Sequence, residues 1–175
     1  MLDQKFLLTA DRHWDNTQSN HKLQRRHLDQ ALKWNAGVFD FGDLFCAMQG
    51  KYDKRSNKSR LGADHKSEDY LDKLVETAAD FFEPYAKHIV MMAMGNHEVG
   101  VLDKHETNLT NNLVKELNAR TGATIYNGGY SGWIVFRFVD RKREIIKKLW
   151  YIHGYGGGGP VTRGVIQSNR KAVYL

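Results

Sequence analysis

The sequence places side chains that can bind metal ions in four short motifs. These motifs supply the candidate residues Asp11 and His13, Asp43, Asn96 and His97, and His153. Carboxylate, imidazole and amide groups suit Mn²⁺, Fe or Zn²⁺. The side chains of an Asp-x-His motif leave one short turn and can reach the same ion, and a single carboxylate such as Asp43 can bridge two ions. Together the motifs predict a metal site.

Each motif lies at the end of a segment that we predict to be a β-strand. The segments are KFLLTA (5–10), VFDFGD (38–43), HIVMMAM (88–94) and EIIKKLWYIH (144–153). The strand ends of an open α/β sheet point into one crevice, where such folds bind ligands. Gly42 and Gly95 allow close backbone approach or a sharp strand exit. We therefore expect the polar residues to meet at one edge of a sheet.

Helices are predicted between these strands, at 19–37, 67–85 and around 106–121, because apolar residues recur there every three or four positions. The expected start and stop residues are Ser19 or Asn20 with Gly37, then Ser67 with Pro84, and Gly122 for the last helix. A further strand at 131–140 precedes 144–153. This order predicts a single α/β layered domain over residues 1–175, with a basic loop insertion at 50–66.

The motif set resembles the calcineurin-like metallophosphoesterase superfamily, whose pattern runs Asp-x-His, Gly-Asp, Gly-Asn-His-Asp/Glu, His and a final Gly-His-x-His. The matches here are DRH (11–13), GD (42–43), GNHE (95–98) and His153. The variant looks most like metallophosphatase-domain proteins of bacteriophages and bacteria. The resemblance implies a β-sandwich of two stacked sheets flanked by helices, and a hydrolase with a two-metal centre.

The resemblance also implies a role for each residue. Asp11 and His13 would bind the first ion, Asp43 would bridge both, and Asn96 and His153 would bind the second. His97 would protonate the leaving group or stabilise the transferring phosphoryl group. Two divalent ions are expected, with Mn²⁺ preferred and Fe, Zn²⁺ or Ni²⁺ as alternatives, and a metal-bridging hydroxide would attack phosphorus.

The sequence departs from the family pattern at two points. Position 46, where the family often has Asp or Asn, is Cys46, which we interpret as a packed small residue rather than a poor substitute beside the metals. No Gly-His-x-His follows His153, so we expect a chain truncated before that motif. A fold that lacks its last strands exposes a sheet edge, which predicts a homo-oligomer or a completing C-terminal segment.

Charge suggests the class of substrate. The formal net charge is +6, and the segments 51–66 and 141–148 each contribute a net charge of +4, so the remainder of the chain is slightly acidic. Basic patches suit a polyanion, so phosphodiesters, including nucleic acid, are the expected substrates. Trp14 and Arg163 are candidate substrate contacts. The alternatives are a degenerate fold that acts as a nucleic-acid-binding module, and a non-functional truncation product.

Several classes are excluded or disfavoured by composition. Cys46 is the only cysteine, which excludes an internal disulfide and favours a reducing compartment. The N-terminus lacks a signal-peptide pattern, and no run approaches 18 apolar residues. We therefore expect a cytoplasmic protein without a membrane span. Away from the motifs, we expect Trp133 and Trp150 in the core and His27 as a core or boundary residue.

Overall fold

A computed structural model describes residues 4–47, 62, 65–66, 68–140 and 143–154 of the chain. Three predicted features lie wholly or largely outside these residues: most of the loop at 50–66, the glycine-rich loop at 154–160 and the C-terminal segment that contains Arg163. None of the described helices is long and apolar enough to cross a membrane.

A four-stranded parallel sheet forms the centre of the fold. Its strands are β1 (Phe6–Thr9), β2 (Gly37–Asp40), β3 (Ile89–Met92) and β4 (Tyr126–Asn127), and they are hydrogen-bonded in that order. The first three confirm predicted strands. β4 was not predicted, because two exposed residues carry no hydrophobic pattern.

Within the residues that the structure describes, four α-helices connect or follow these strands. They are α1 (His21–Lys33), α2 (Tyr70–Phe82), α3 (Asn96–His105) and α4 (Leu109–Thr121), and a 3₁₀-helix (Glu83–His88) follows α2. Asn20 caps α1 and Gly122 ends α4 in the left-handed conformation, as predicted. Pro84 lies in the first turn of the 3₁₀-helix, where the α-helix has ended.

Three details of the helix prediction are wrong. α1 ends at Lys33 rather than near Gly37, because Asn35 adopts a left-handed φ of 50° and Gly37 already begins β2. Asp69, not Ser67, occupies the N-cap position of α2. The prediction also omitted α3, which begins inside the Gly-Asn-His-Glu motif.

Helices and a hairpin cover opposite faces of the parallel sheet. On one face, Val38 and Met92 pack with apolar residues of α1, α2 and α4 in the main core. On the other, Phe39 and Met91 contact the antiparallel strands β5 (Ser131–Asp140) and β6 (Arg143–Ile152) through residues that include Phe136. The alternation of strand side chains produces this division. The fold therefore belongs to the predicted α/β class.

The hairpin also corrects two core assignments. Trp133 and Trp150 are cross-strand neighbours and are 65% and 36% exposed. Side chains alternate between the two faces along β5, and Ile134 and Phe136 face the parallel sheet. Trp133 and its cross-strand partner Trp150 therefore lie on the outer face. His27 is likewise exposed rather than at the core, since α1 buries Gln24, Leu28 and Ala31.

Candidate metal centre

The other four predicted metal ligands converge on the carboxylate of the fifth, Asp43. Ligand atoms of Asp11, His13 and Asp43 lie within 4.8 Å of one another. Nε2 of His153 lies 3.2 Å from Oδ2 of Asp43. The side-chain amide of Asn96, in the orientation that satisfies both of its polar atoms, donates to the same oxygen at 3.3 Å. Residues from four separate chain segments thus share one buried carboxylate.

The loops after β1 and β2 are joined by backbone hydrogen bonds. The backbone N–H of Asp11 donates to the carbonyl oxygen of Gly42 at 2.9 Å, and the backbone N–H of His13 donates to the carbonyl oxygen of Asp43 at 3.0 Å. Asp11, His13 and Asp43 all adopt left-handed φ values, of 53°, 44° and 52°. Such values are uncommon for residues other than glycine and are frequent at functional sites. This backbone geometry fixes both side chains of Asp-x-His relative to Asp43.

Two glycines allow the ends of β2 and β3 to approach. A Cβ atom on Gly42 would overlap the backbone of Met94 and Gly95, and a Cβ on Gly95 would overlap the carboxylate and backbone nitrogen of Asp43. Gly42 also adopts a φ of 101°, which an L side chain rarely adopts. The Gly-Asp and Gly-Asn-His-Glu motifs therefore depend on each other sterically.

Glu98 is a part of the site that the sequence did not lead us to select. Its side chain is 1% exposed, and its carboxylate accepts backbone N–H groups of Asp43, Phe45 and Gly95 at 3.1, 2.8 and 2.8 Å. Burial raises the pKa of Glu98 to about 7, and the Asp43 charge raises it too, while the N–H donors oppose the shift. Its position three residues after Gly95, at the start of α3, is one from which a Glu side chain can accept the N–H of the residue before the helix, and this spacing could have indicated its role.

A buried ion pair lies beneath the same loops. Arg12 Nε donates to Asp40 Oδ2 at 2.8 Å, and the hydroxyl of Thr9 donates to that oxygen at 2.9 Å. Burial raises the pKa of Asp40, and the neighbouring Arg12 charge counteracts this effect. Arg12 separates Asp11 from His13, so the pair anchors the Asp-x-His motif to β2.

His97 contacts the centre through both backbone and side chain. Its N–H donates to Asp43 Oδ1 at 2.9 Å, and its Nε2 lies 3.7 Å from Asp43 Oδ2. Its Nδ1 lies 2.6 Å from the carbonyl oxygen of Cys46. A cavity of about 580 Å³ opens beside it and is lined by residues that include Asp11, His13 and His97. This cavity can admit a ligand to the predicted catalytic histidine.

Trp14 was predicted to contact the substrate, but it does not line this cavity. It is 7% exposed and its indole stacks on His21, with ring centroids 5.7 Å apart, within the main core. Cys46 is buried, as the packing interpretation requires, but it also lines the cavity beside His13 and His97. Arg163 lies outside the described residues.

The donor set is suited to divalent metal ions. It combines carboxylates and imidazoles, which match borderline and hard cations, with the amide of Asn96, whose oxygen would ligate an ion after the side chain turns it from the N–H of His97 toward Asp43. Nδ1 of His13 is a buried atom without a hydrogen-bond partner in the described part of the chain. A buried polar atom of this kind requires a partner, and a metal ion would supply one. The residues present therefore fit a metal centre.

Comparison with known proteins gives no relative. No protein-family model, curated protein or solved structure matches the chain. The family resemblance consequently remains a prediction from the motifs.

Proposed function

We propose that the protein is a metal-dependent phosphoesterase of the calcineurin-like metallophosphoesterase type, with phosphodiesters as its preferred substrates. The observation that carries this proposal is the convergence of Asp11, His13, Asn96 and His153 on Asp43. A parallel sheet with helices on one face and a β-hairpin on the other is also compatible with the stacked sheets of that family.

The ligands divide into two groups around Asp43. Asp11 and His13 would complete one position, and Asn96 and His153 would complete the other. When bound, two divalent ions would stabilise negative charge on the phosphoryl group and lower the pKa of an attacking water. We expect Mn²⁺, with Fe, Zn²⁺ or Ni²⁺ as alternatives, because the set combines oxygen and imidazole ligands.

His97 is the proposed acid for the leaving group. A carbonyl oxygen only accepts hydrogen bonds, so the contact with Cys46 places a proton on Nδ1 of His97. Nε2 is then the atom that faces Asp43, and His97 is one of the residues that line the cavity. A proton on Nε2 would be transferred to the leaving oxygen, while Asp43 and the backbone contact at His97 hold the ring in place.

The direct test is hydrolysis of bis-p-nitrophenyl phosphate. We expect turnover with Mn²⁺, loss of turnover in EDTA, and a decrease of about 100-fold or more in Asp43→Ala. Asp103→Asn is the matched control, because Asp103 is exposed on α3. Turnover that survives both EDTA and Asp43→Ala would contradict the proposal.

The hairpin favours a second candidate function, single-stranded nucleic-acid binding. Trp133 and Trp150 are exposed on the same face as Lys148, which pairs with Val135. Exposed aromatic rings beside basic side chains provide a stacking surface for bases and a contact for phosphates. This face could bind nucleic acid with or without hydrolysis at Asp43.

Binding of an oligonucleotide in EDTA tests this candidate apart from catalysis. We expect salt-dependent binding of single-stranded DNA that weakens in Trp133→Leu. Trp34→Leu is the matched control, because Trp34 is 56% exposed at the end of α1. Equal binding by both variants would exclude the hairpin face as the binding surface.

A further inference from the structure

Three side chains form a second group of potential metal ligands beside Asp43. The ligand atoms of His13, Cys46 and His97 all lie within 4.8 Å of one another, and the three residues line the same cavity. The rings of His13 and His97 meet edge to face, with centroids 4.9 Å apart. The group differs from the proposed phosphoesterase centre in its chemistry, because it contains a thiol and no carboxylate.

Two of the three residues offer a ring nitrogen as a potential ligand. Nδ1 of His97 donates to the carbonyl of Cys46, which leaves the lone pair of a neutral ring on Nε2. Nδ1 of His13 is buried and has no hydrogen-bond partner within the described residues. The Cys46 sulfur is the third ligand atom of the group, and the side-chain amide of Asn16 donates to it at 3.5 Å. These observations point to a ligand between the three side chains.

We propose that His13, Cys46 and His97 form a binding position for a thiophilic divalent ion such as Zn²⁺ or Co²⁺. Two imidazoles and one thiolate are ligands of tetrahedral sites, and the fourth position would face the cavity. Mn²⁺ and Mg²⁺ prefer oxygen ligands and would bind this set poorly.

A metal ion bound in this position would compete with the ions of the proposed phosphoesterase centre. This consequence rests on the proposed function. His13 belongs to both groups, and His97 is the proposed acid. An ion held by Cys46 would therefore withdraw a ligand from the first ion and block proton transfer from His97. Zn²⁺ would act as an inhibitor of a Mn²⁺-loaded enzyme through this position.

Absorption spectroscopy with Co²⁺ alone tests the proposal without any hydrolysis assay. Cys46 is the only cysteine, so a thiolate-to-Co²⁺ charge-transfer band in the near ultraviolet can come from no other residue. We expect the band in the metal-depleted full chain and its loss in Cys46→Ser and Cys46→Ala. In His97→Ala, the apparent affinity for Co²⁺ should fall at least about tenfold.

Control variants separate this position from the proposed centre. His153→Asn should keep the band, because His153 belongs only to the ligands around Asp43. His105→Ala should also keep it, since His105 lies at the far end of α3. Thermal denaturation would establish that each variant is folded.

Two outcomes would overturn the proposal. One is the absence of a charge-transfer band in folded protein whose thiol is shown to be reduced. The other is a band whose Co²⁺ affinity is unchanged in both His13→Ala and His97→Ala. Neither outcome bears on Mn²⁺-dependent hydrolysis, so failure of this proposal remains distinguishable from failure of the proposed function.

Discussion

Nε2 of His153 lies 3.2 Å from Oδ2 of Asp43, while Nδ1 of the same ring lies 2.8 Å from the carbonyl oxygen of Phe41. The carbonyl accepts a hydrogen bond, so Nδ1 carries the ring proton. In the neutral ring, Nε2 then directs a lone pair at a carboxylate oxygen. A proton or a metal cation between the two atoms would stabilise this contact.

This relationship predicts the effect of His153→Asn on metal binding. Bound Mn²⁺ should decrease from two ions to one per chain, because the second position loses its imidazole, and diester hydrolysis should fall about 100-fold or more. Equilibrium dialysis with metal analysis measures the stoichiometry. His88→Asn is the control, since His88 lies at the end of the 3₁₀-helix and contacts Ala36. Two ions bound by His153→Asn would contradict the assignment.

Much of the site could be predicted because its residues follow buried strands. The apolar runs before Asp11, Asp43 and Asn96 indicated strands, and parallel strands place their carboxyl ends at one edge. His153 was predicted from the end of β6, although β6 belongs to a separate sheet that packs on the first. The prediction of the site therefore depended mainly on short apolar segments that could be assigned as strands without ambiguity.

Other features depend on tertiary contacts that the sequence does not display. Glu98 accepts the N–H groups of Asp43 and Phe45 from the loop after β2, and that loop could not be placed beside it before the strands were assembled. Strand β5 carries apolar side chains on both faces, so its pattern could not show that Trp133 is outside and Phe136 inside. Trp14 follows a site motif, yet it turns into the core.

Gly95→Ala is expected to destabilise the protein and disrupt the centre. The added methyl group would overlap Asp43, and backbone atoms there cannot move without breaking the contacts with Glu98. We expect a decrease of at least about 2 kcal/mol in the free energy of unfolding, measured by urea denaturation.

Gly100→Ala is the matched control for that substitution. Gly100 lies within α3, and a Cβ there would meet no atom within 4 Å. Alanine should therefore stabilise the helix by about 0.5–1 kcal/mol. If both alanine variants lost the same stability, the steric role of Gly95 would be wrong.

Glu98 should make stability depend on pH in the metal-depleted protein. Its pKa is raised from 4.5 to about 7, so within this interval the folded state binds more protons than the unfolded state. The free energy of unfolding should therefore fall as pH rises from about 4.5 to about 7, by up to about 3 kcal/mol from this group, and then level off. Urea denaturation at a series of pH values measures the slope.

Glu98→Gln should flatten this slope, because glutamine does not titrate. It should also lower the free energy of unfolding at every pH, because the NH₂ group of glutamine cannot accept a hydrogen bond from a backbone N–H. Glu76→Gln is the control, since Glu76 lies on the surface of α2 beside Lys73. Wild-type and Glu98→Gln curves with equal slopes would show that Glu98 does not titrate in this range.

The buried pair of Arg12 and Asp40 should be far more important for stability than an exposed pair. Asp40→Asn removes a negative charge 2.8 Å from a guanidinium whose side chain is 5% exposed, and the remaining cation has little solvent to compensate it. We expect a loss of about 3–5 kcal/mol in the free energy of unfolding. Thermal or urea denaturation measures this loss.

Asp80→Asn provides the comparison. Asp80 pairs with Arg120 at 2.6 Å, but its side chain is 65% exposed and Arg120 also contacts Glu83 and Glu116. Solvent and the two other carboxylates compensate for the lost charge, so the cost should stay below about 1 kcal/mol.

Because Arg12 separates Asp11 from His13, Asp40→Asn should also weaken Mn²⁺ binding, whereas Asp80→Asn should leave it unchanged. Similar losses of stability in the two variants would mean that burial does not determine the strength of the Arg12–Asp40 pair.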